Sequence, residues 1–154
     1  ITYYLSVQAS KQGELTGEGG KKSNAKGIPI LGYSLGVEVP LAAGSGGRAT
    51  GKRTYEPVSV YKDAGVVTPQ LFAALVDGEH LPKVTISVYH SGKNGKEALY
   101  FTITLTNALI SGLVHEPGDG DMSELEKIDF AFEKIELANL ATGATATDDL
   151  VQKA

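Results

Sequence analysis

Hydrophobic and polar residues alternate with period two along most of this chain, the signature of strands with one buried face. Tyr3, Leu5, Val7 and Ala9 form the first such series. Leu31, Tyr33, Leu35, Val37 and Val39 form a second, ending at Pro40. Tyr55, Val58, Val60 and Tyr61 make a third, with Pro57 marking an edge or a bulge. Val84, Ile86 and Val88 lead to Gly92-Lys93-Asn94-Gly95-Lys96, whose Asn-Gly pair is a strong hairpin signal. Leu99, Phe101, Ile103 and Leu105 return on one face, with Tyr100, Thr102 and Thr104 on the other. The inward set then shifts parity to Ala108 and Ile110, which predicts a bulge near Asn107. Ile128, Phe130 and Phe132 alternate until Ile135 and Leu137 change parity, which predicts a second bulge near Glu133 and Lys134. Residues 115–123 read as a polar loop, and 141–154 as a final edge strand or a frayed tail.

One segment breaks this period. Residues 68–77, from Thr68 to Asp77, predict a short helix with Thr68 as its cap, Pro69 in the first turn and Gly78 as a left-handed exit. Its expected apolar face is Leu71, Phe72, Leu75 and Val76. Seven or eight strands and one helix, without repeat or linker, predict a single domain over 1–154. The expected fold is mainly β: a closed or two-sheet β-barrel with one flanking α-helix. A chain of this length buries roughly 70% of its unfolded surface, enough for a real core.

Charge and composition narrow the function. An apolar content of 42% is ordinary, and a net charge of −4 speaks against a phosphate-backbone binder, so no nucleic-acid partner is expected. No apolar run approaches the ~20 residues of a membrane-spanning helix, and no membrane insertion is expected. The absence of cysteine removes disulfides, thiol nucleophiles and thiolate metal sites. The chain opens at Ile1 without a methionine, so an N-terminal segment, trimmed or processed, is expected to have preceded it.

Several motifs bear on catalysis. Gly32-Tyr33-Ser34-Leu35-Gly36 fits G-x-S-x-G, but a nucleophile elbow requires a strand-to-helix turn, and here the alternation continues through Ser34. Residues 46–52 fit the G-x-x-x-x-G-K core of a phosphate loop, yet Arg53 stands where Ser or Thr is required and strand residues follow. Asp119, Asp121 and Ser123 resemble the start of a calcium loop that lacks its glycine and its final glutamate. His80, His90 and His115 lack ligand spacing, with His80 and His115 expected to face solvent. Glu14 and Glu18 are an unsupported carboxylate pair. No cofactor, metal or catalytic residue is therefore expected. A secreted β-sandwich binding module, for carbohydrate as an example, stays open, with Tyr61, Tyr89 and Tyr100 as its candidate aromatics. A serine hydrolase using Ser34 is the weaker alternative.

The order and spacing of smaller motifs point elsewhere. They run from Tyr3-Tyr4-Leu5-Ser6-Val7 through Gly17-Glu18, Ile28-x-Ile30, Tyr33-Ser34-x-Gly36 and Gly51-Lys52-Arg53. Pro57, Lys62-Asp63, Thr68-Pro69-x-Leu71, Ala74-Leu75, Gly78-Glu79-x-Leu81 and Val84-x-Ile86 follow. Tyr100-x-x-x-Thr104-Leu105, Asn107-Ala108-x-Ile110 and Ile128-x-Phe130-x-Phe132 complete the series. In this the chain resembles the haemolysin-coregulated protein (Hcp) family, the tube protein of bacterial type VI secretion. It departs from the family in having Tyr33 where Trp is frequent, and in having no aromatic residue over 141–149.

The resemblance implies a compact barrel that assembles as a hexameric ring. Rings stack into a tube that a contractile sheath drives outward, and effectors ride in the lumen. Partners would be further copies of the chain and the sheath, spike and effector proteins. The location would be the bacterial cytoplasm during assembly and the exterior after firing. The glycine-rich span of Ala43, Gly44, Ser45, Gly46, Gly47, Arg48, Ala49, Thr50 and Gly51 has little to bury in its own core. It is expected to project from the barrel and pack on a neighbour in the next ring.

Overall fold

A computed structural model describes residues 1–15, 27–41, 52–119 and 124–151. The alternating segments become β1 (Thr2–Ala9), β2 (Gly13–Glu14), β3 (Ile28–Ile30), β4 (Gly32–Ser34), β5 (Val37–Glu38) and β6 (Thr54–Tyr55). They continue as β7 (Val58–Asp63), β8 (Leu81–Ser91), β9 (Glu97–Pro117), β10 (Glu124–Ala131), β11 (Lys134–Asn139) and β12 (Ala144–Asp149), with α1 (Thr68–Val76) between β7 and β8. The fold is mainly β, a barrel with one flanking helix.

The long strand β9 organises it. Its first half pairs with β8 on one side and β11 on the other, and its second half pairs with β10. At the change of partners Asn107 adopts a left-handed backbone (φ 53°), a conformation asparagine tolerates better than most residues. The parity shift from Leu105 to Ala108 is this bend, and both residues are fully buried. Opposite it the chain breaks at Phe132 and Glu133 between β10 and β11, where the sequence pattern places its second bulge. One wall therefore runs β1–β8–β9–β11–β12 and the other β9–β10–β7–β4, all antiparallel. The circuit closes through the chain itself, because β3 pairs with β1 and β4 with β7 on either side of Leu31. Inside lie Leu5, Val7, Ile28, Ile30, Val58, Val60, Val84, Ile86, Ile103, Leu105, Ile128 and Phe130. Gly27, at φ 115°, passes so close to β1 that a Cβ would sit 2.6 Å from the Leu5 carbonyl oxygen.

Four local expectations are corrected. The series from Leu31 to Val39 is not one strand with one inward face. Ile30 points in, Leu31 turns out with 56% of its surface exposed, and Tyr33 and Leu35 return to the core. The Leu31 amide donates to the Tyr61 carbonyl, and this bend carries the chain from one wall to the other. Second, Thr68 is not the helix cap. Val67 holds that position, and the Thr68 hydroxyl accepts from the Gly65 amide and donates to Glu126. Third, the buried helix face is Leu71 and Ala74, continued by Val67 and the half-buried Leu75, whereas Phe72 and Val76 are exposed. The small Ala74 lets the helix approach the barrel, and the wider apolar stripe overruns the contact. Fourth, His115 does not open a loop. Strand β9 runs on to Pro117, paired with Glu124 and beyond.

The helix exit is as expected. Gly78 is left-handed (φ 60°), its amide donates to the Leu75 carbonyl, and the Glu79 amide donates to the Ala74 carbonyl. Residues 144–149 take the edge-strand alternative, pairing with β11 in register from Lys134 and Asp149 to Asn139 and Ala144.

Candidate assembly surfaces

The span expected to project, Ala43 through Gly51, lies outside the described residues; the segments that flank it do not. Strands β5 and β6 form a short stem in which Val37 faces Tyr55 and Glu38 faces Thr54, extended by the Glu56 amide donating to the Gly36 carbonyl. On the body side Leu35 and Tyr55 pack against the core, and the Tyr55 ring meets Phe132 edge-on at 5.3 Å. On the approach to the span, Val37, Val39 and Leu41 are 51%, 46% and 61% exposed. Three exposed aliphatic side chains at alternate positions of one short segment are an unburied apolar strip.

Charge ties this stem to the last strand. The Arg53 Nε and Nη2 donate to the two carboxylate oxygens of Asp148 at 2.5 and 2.6 Å, and the Tyr55 hydroxyl donates to Asp148 Oδ2 at 2.7 Å. The Arg53 fork, then the Tyr55 hydroxyl, hold the Asp148 carboxyl below the usual carboxylate range against the opposing effect of burial.

Two other outward surfaces are apolar. On α1, Phe72 and Val76 stand one turn apart, 56% and 64% exposed. On the outer face of the β9–β10–β7–β4 wall, Leu31, Tyr61, Val114 and Lys127 line a groove of about 190 Å³.

The barrel interior also holds charge. Lys62 Nζ lies 2.6 Å from Glu126 Oε1, with their side chains 2% and 0% exposed. The Thr68 hydroxyl donates to the same oxygen, Lys62 also donates to the Asp63 carbonyl, and His115 Nδ1 stands 3.4 Å from Glu126 Oε2. Burial raises the Glu126 pKa. The Lys62 and Thr68 hydrogen bonds, with the Lys62 charge and His115, outweigh it and leave the carboxyl below its ordinary value. At the other end of α1 the buried Glu79 accepts from the Lys11 and Gln12 amides, both at 2.9 Å, and from Gln12 Nε2. Its carboxyl is lowered chiefly by the Gln12 amide, against burial. The strand pattern carries a signal for the first pair. Lys62 follows Val58 and Val60 on the inward parity of β7, and Glu126 precedes Ile128 and Phe130 on that of β10.

This molecule presents a barrel with buried ion pairing and exposed apolar side chains, and its fold is shared with known proteins. A family model described as "Type VI secretion system effector, Hcp" matches residues 4–138. The chain belongs to the Hcp family. The Hcp relative "Major exported protein" of Pseudomonas aeruginosa is 29% identical over 161 aligned residues, covering 95% of this chain and 93% of that protein. A crystal structure of an Hcp protein superposes with a TM-score of 0.86 at 25% identity, covering 97% of this chain and 99% of the other. The secreted protein Hcp3 from Pseudomonas aeruginosa gives 0.79 at 25% identity, covering 98% and 99%.

Within this Hcp barrel the catalytic candidates are scattered. Ser34 is an exposed residue at the end of β4, paired opposite Ser59, and the chain runs on to β5 with no helix turn. The phosphate-loop match lies largely outside the described residues, and its exit, Lys52 and Arg53, leads into β6. Asp121 and Ser123 also lie outside them, as does Glu18, while Glu14 is exposed on β2. Among the described residues no three His, Asp or Glu side chains come together as a metal set. His80 is exposed, His90 packs edge-on against Tyr100 at 4.4 Å, and His115 is half-exposed beside Glu126. The aromatic candidates for a sugar platform are divided: Tyr61 sits on β7, whereas Tyr89 and Tyr100 sit on β8 and β9 of the other wall. Tyr89 packs edge-on against Tyr4 at 5.5 Å and Tyr100 against His90, so these rings are not laid flat for stacking.

Proposed function

We propose that this chain is a structural tube component of a bacterial type VI secretion system, its single domain over 1–154 serving as one protomer of a hexameric ring. The observation that carries the reading is the match to the Hcp family over residues 4–138 of a chain that also exposes large apolar side chains such as Val37, Phe72 and Val76. A ring closes when one face of a protomer complements a different face, and unpaired sheet edges are covered the same way. Rings then stack through the 43–51 span, and the tube carries effectors in its lumen. Sheath and spike proteins are the further partners. Assembly takes place in the cytoplasm, and the fired tube leaves the cell, in keeping with the relative named "Major exported protein". In this role the surfaces between copies do the work, and no catalytic group is required.

Native mass spectrometry tests the ring: a six-subunit species is expected, and a strict monomer at high concentration overturns it. Deleting residues 43–50 tests the stacking. A folded ring that no longer forms long tubes in electron micrographs is expected, and tubes of normal length refute the role of the span.

A further inference from the structure

We infer that Asp148 is a positioning residue for assembly, its carboxylate setting the angle at which the β5–β6 stem presents the 43–51 span to the next ring. This rests on the stacking role proposed for that span. The stem has only two residues in each strand, and an isolated two-stranded ribbon is marginal in water. Its direction must therefore come from what it touches. Among the described residues, β6 and the residue before it are tied by the Tyr55–Phe132 ring contact and by the three donors converging on Asp148. The ring contact, at 5.3 Å, holds Tyr55 against the body by packing, without a directional hydrogen bond. A planar carboxylate gripped by a bidentate guanidinium and a phenol fixes both position and plane.

The grip is also rigid at its far end. Asp148 lies in β12, opposite Ile135 of β11, and β11 pairs in turn with the barrel-wall strand β9. A continuous path thus runs from wall to edge strand to stem, with Arg53 two residues beyond the span. The charged and titratable groups around the carboxylate are Arg53 and Tyr55 at the stem, Asp149 beside it in β12, and Lys134 opposite Asp149 in β11.

The test compares the parent chain with Asp148→Asn, Arg53→Lys and the 43–50 deletion under conditions where the parent forms tubes. Asp148 is partly exposed, so Asp148→Asn is expected to fold with an unchanged circular dichroism spectrum. Loss of charge-assisted hydrogen bonds should speed amide exchange at residues 36–41 and 52–56 about tenfold, with exchange in β8 and β9 unchanged. Six-subunit rings should persist by native mass spectrometry, while long tubes give way to single rings and short stacks. Arg53→Lys, which keeps the charge and loses the fork, should give the same pattern in weaker form. Parent-like exchange in the stem overturns the clamp. Faster exchange with tubes of parent length overturns the positioning role while leaving the clamp. Parent-length tubes in the deletion variant trace the failure to the stacking role itself, and the positioning role falls with it.

Discussion

Removing one member of the buried Lys62–Glu126 pair should destabilise this barrel more than removing both. With Glu126→Leu, the Lys62 ammonium keeps the Asp63 carbonyl alone among its hydrogen-bond partners, at a site where its side chain is 2% exposed. With Lys62→Met, the Glu126 carboxylate keeps the Thr68 hydroxyl and His115. Stranding one buried charge typically costs ~3–5 kcal/mol, whereas replacing both partners with apolar side chains of similar volume is often neutral or favourable by ~1–4 kcal/mol. At ~2–4 °C per kcal/mol for a domain of this size, each single variant should lower the melting midpoint by roughly 6–20 °C. The double variant Lys62→Met/Glu126→Leu should recover most of that loss. Thr68 would still accept from the Gly65 amide, so the helix start keeps one anchor.

Urea titration at pH 7 checks this, provided the slope is unchanged among the four proteins. A double variant as unstable as the worse single variant refutes the claim that stranded charge sets the cost. So does a Glu126→Leu stability within ~0.5 kcal/mol of the parent, the range of an ordinary surface substitution. The pH dependence has a defined sign. The folded-state pKa of Glu126 lies below its ordinary value, so its contribution is fully present above that ordinary value and is lost as pH falls through the folded one.

Glu79 obeys the same sign, because the Gln12 and Lys11 amides lower its carboxyl. In Glu79→Gln the loss of stability on acidification below the ordinary carboxylate range should be shallower than in the parent; identical acid limbs in denaturation curves at stepped pH would remove Glu79 as a contributor. On the helix, Leu71→Ala should cost ~2–5 kcal/mol and Phe72→Ser within ~0.5 kcal/mol, since Leu71 is fully buried and Phe72 is 56% exposed. Equal losses at the two positions in thermal melts of the protomer would contradict the orientation of α1.

The parts of this fold that depend on local period are legible in the amino-acid sequence. The shifts at Asn107 and at Glu133 mark where strands change walls, because inward and outward positions must exchange there. Competition among apolar residues is a different matter, which period does not resolve. Leu31, Val37 and Val39 satisfy the same alternation as Tyr33 and Leu35, but the bend turns Leu31 out and the separate β5–β6 ribbon leaves Val37 and Val39 exposed. On α1 four large apolar residues compete for a contact that Leu71 and Ala74 fill. Charge pairing over long separations escapes a local reading for another reason. Lys62 meets Glu126, and Arg53 meets Asp148, only after β7 lies beside β10 and β6 leans on β12. The inward parity of Lys62 and Glu126 is a usable sign. Nothing local marks Asp148.

These misreadings fall on apolar side chains that the fold leaves exposed. An alternation rule assigns every apolar residue of a series to the core, so it fails wherever apolar surface is left for something else. Leu31, Val37 and Val39 fail it, Phe72 and Val76 fail the corresponding helical rule, and each is at least 46% exposed. A lone exposed leucine carries no meaning, because more than half of any folded surface is apolar. Five such failures, two of them on the segment that leads towards a glycine-rich span, are different. A barrel whose own interior is filled by Phe130, Leu105 and Leu71 leaves the exposed aliphatic side chains of Val37 and Val39 outside that core. In the tube assembly proposed above, it is another copy of the chain that would cover them.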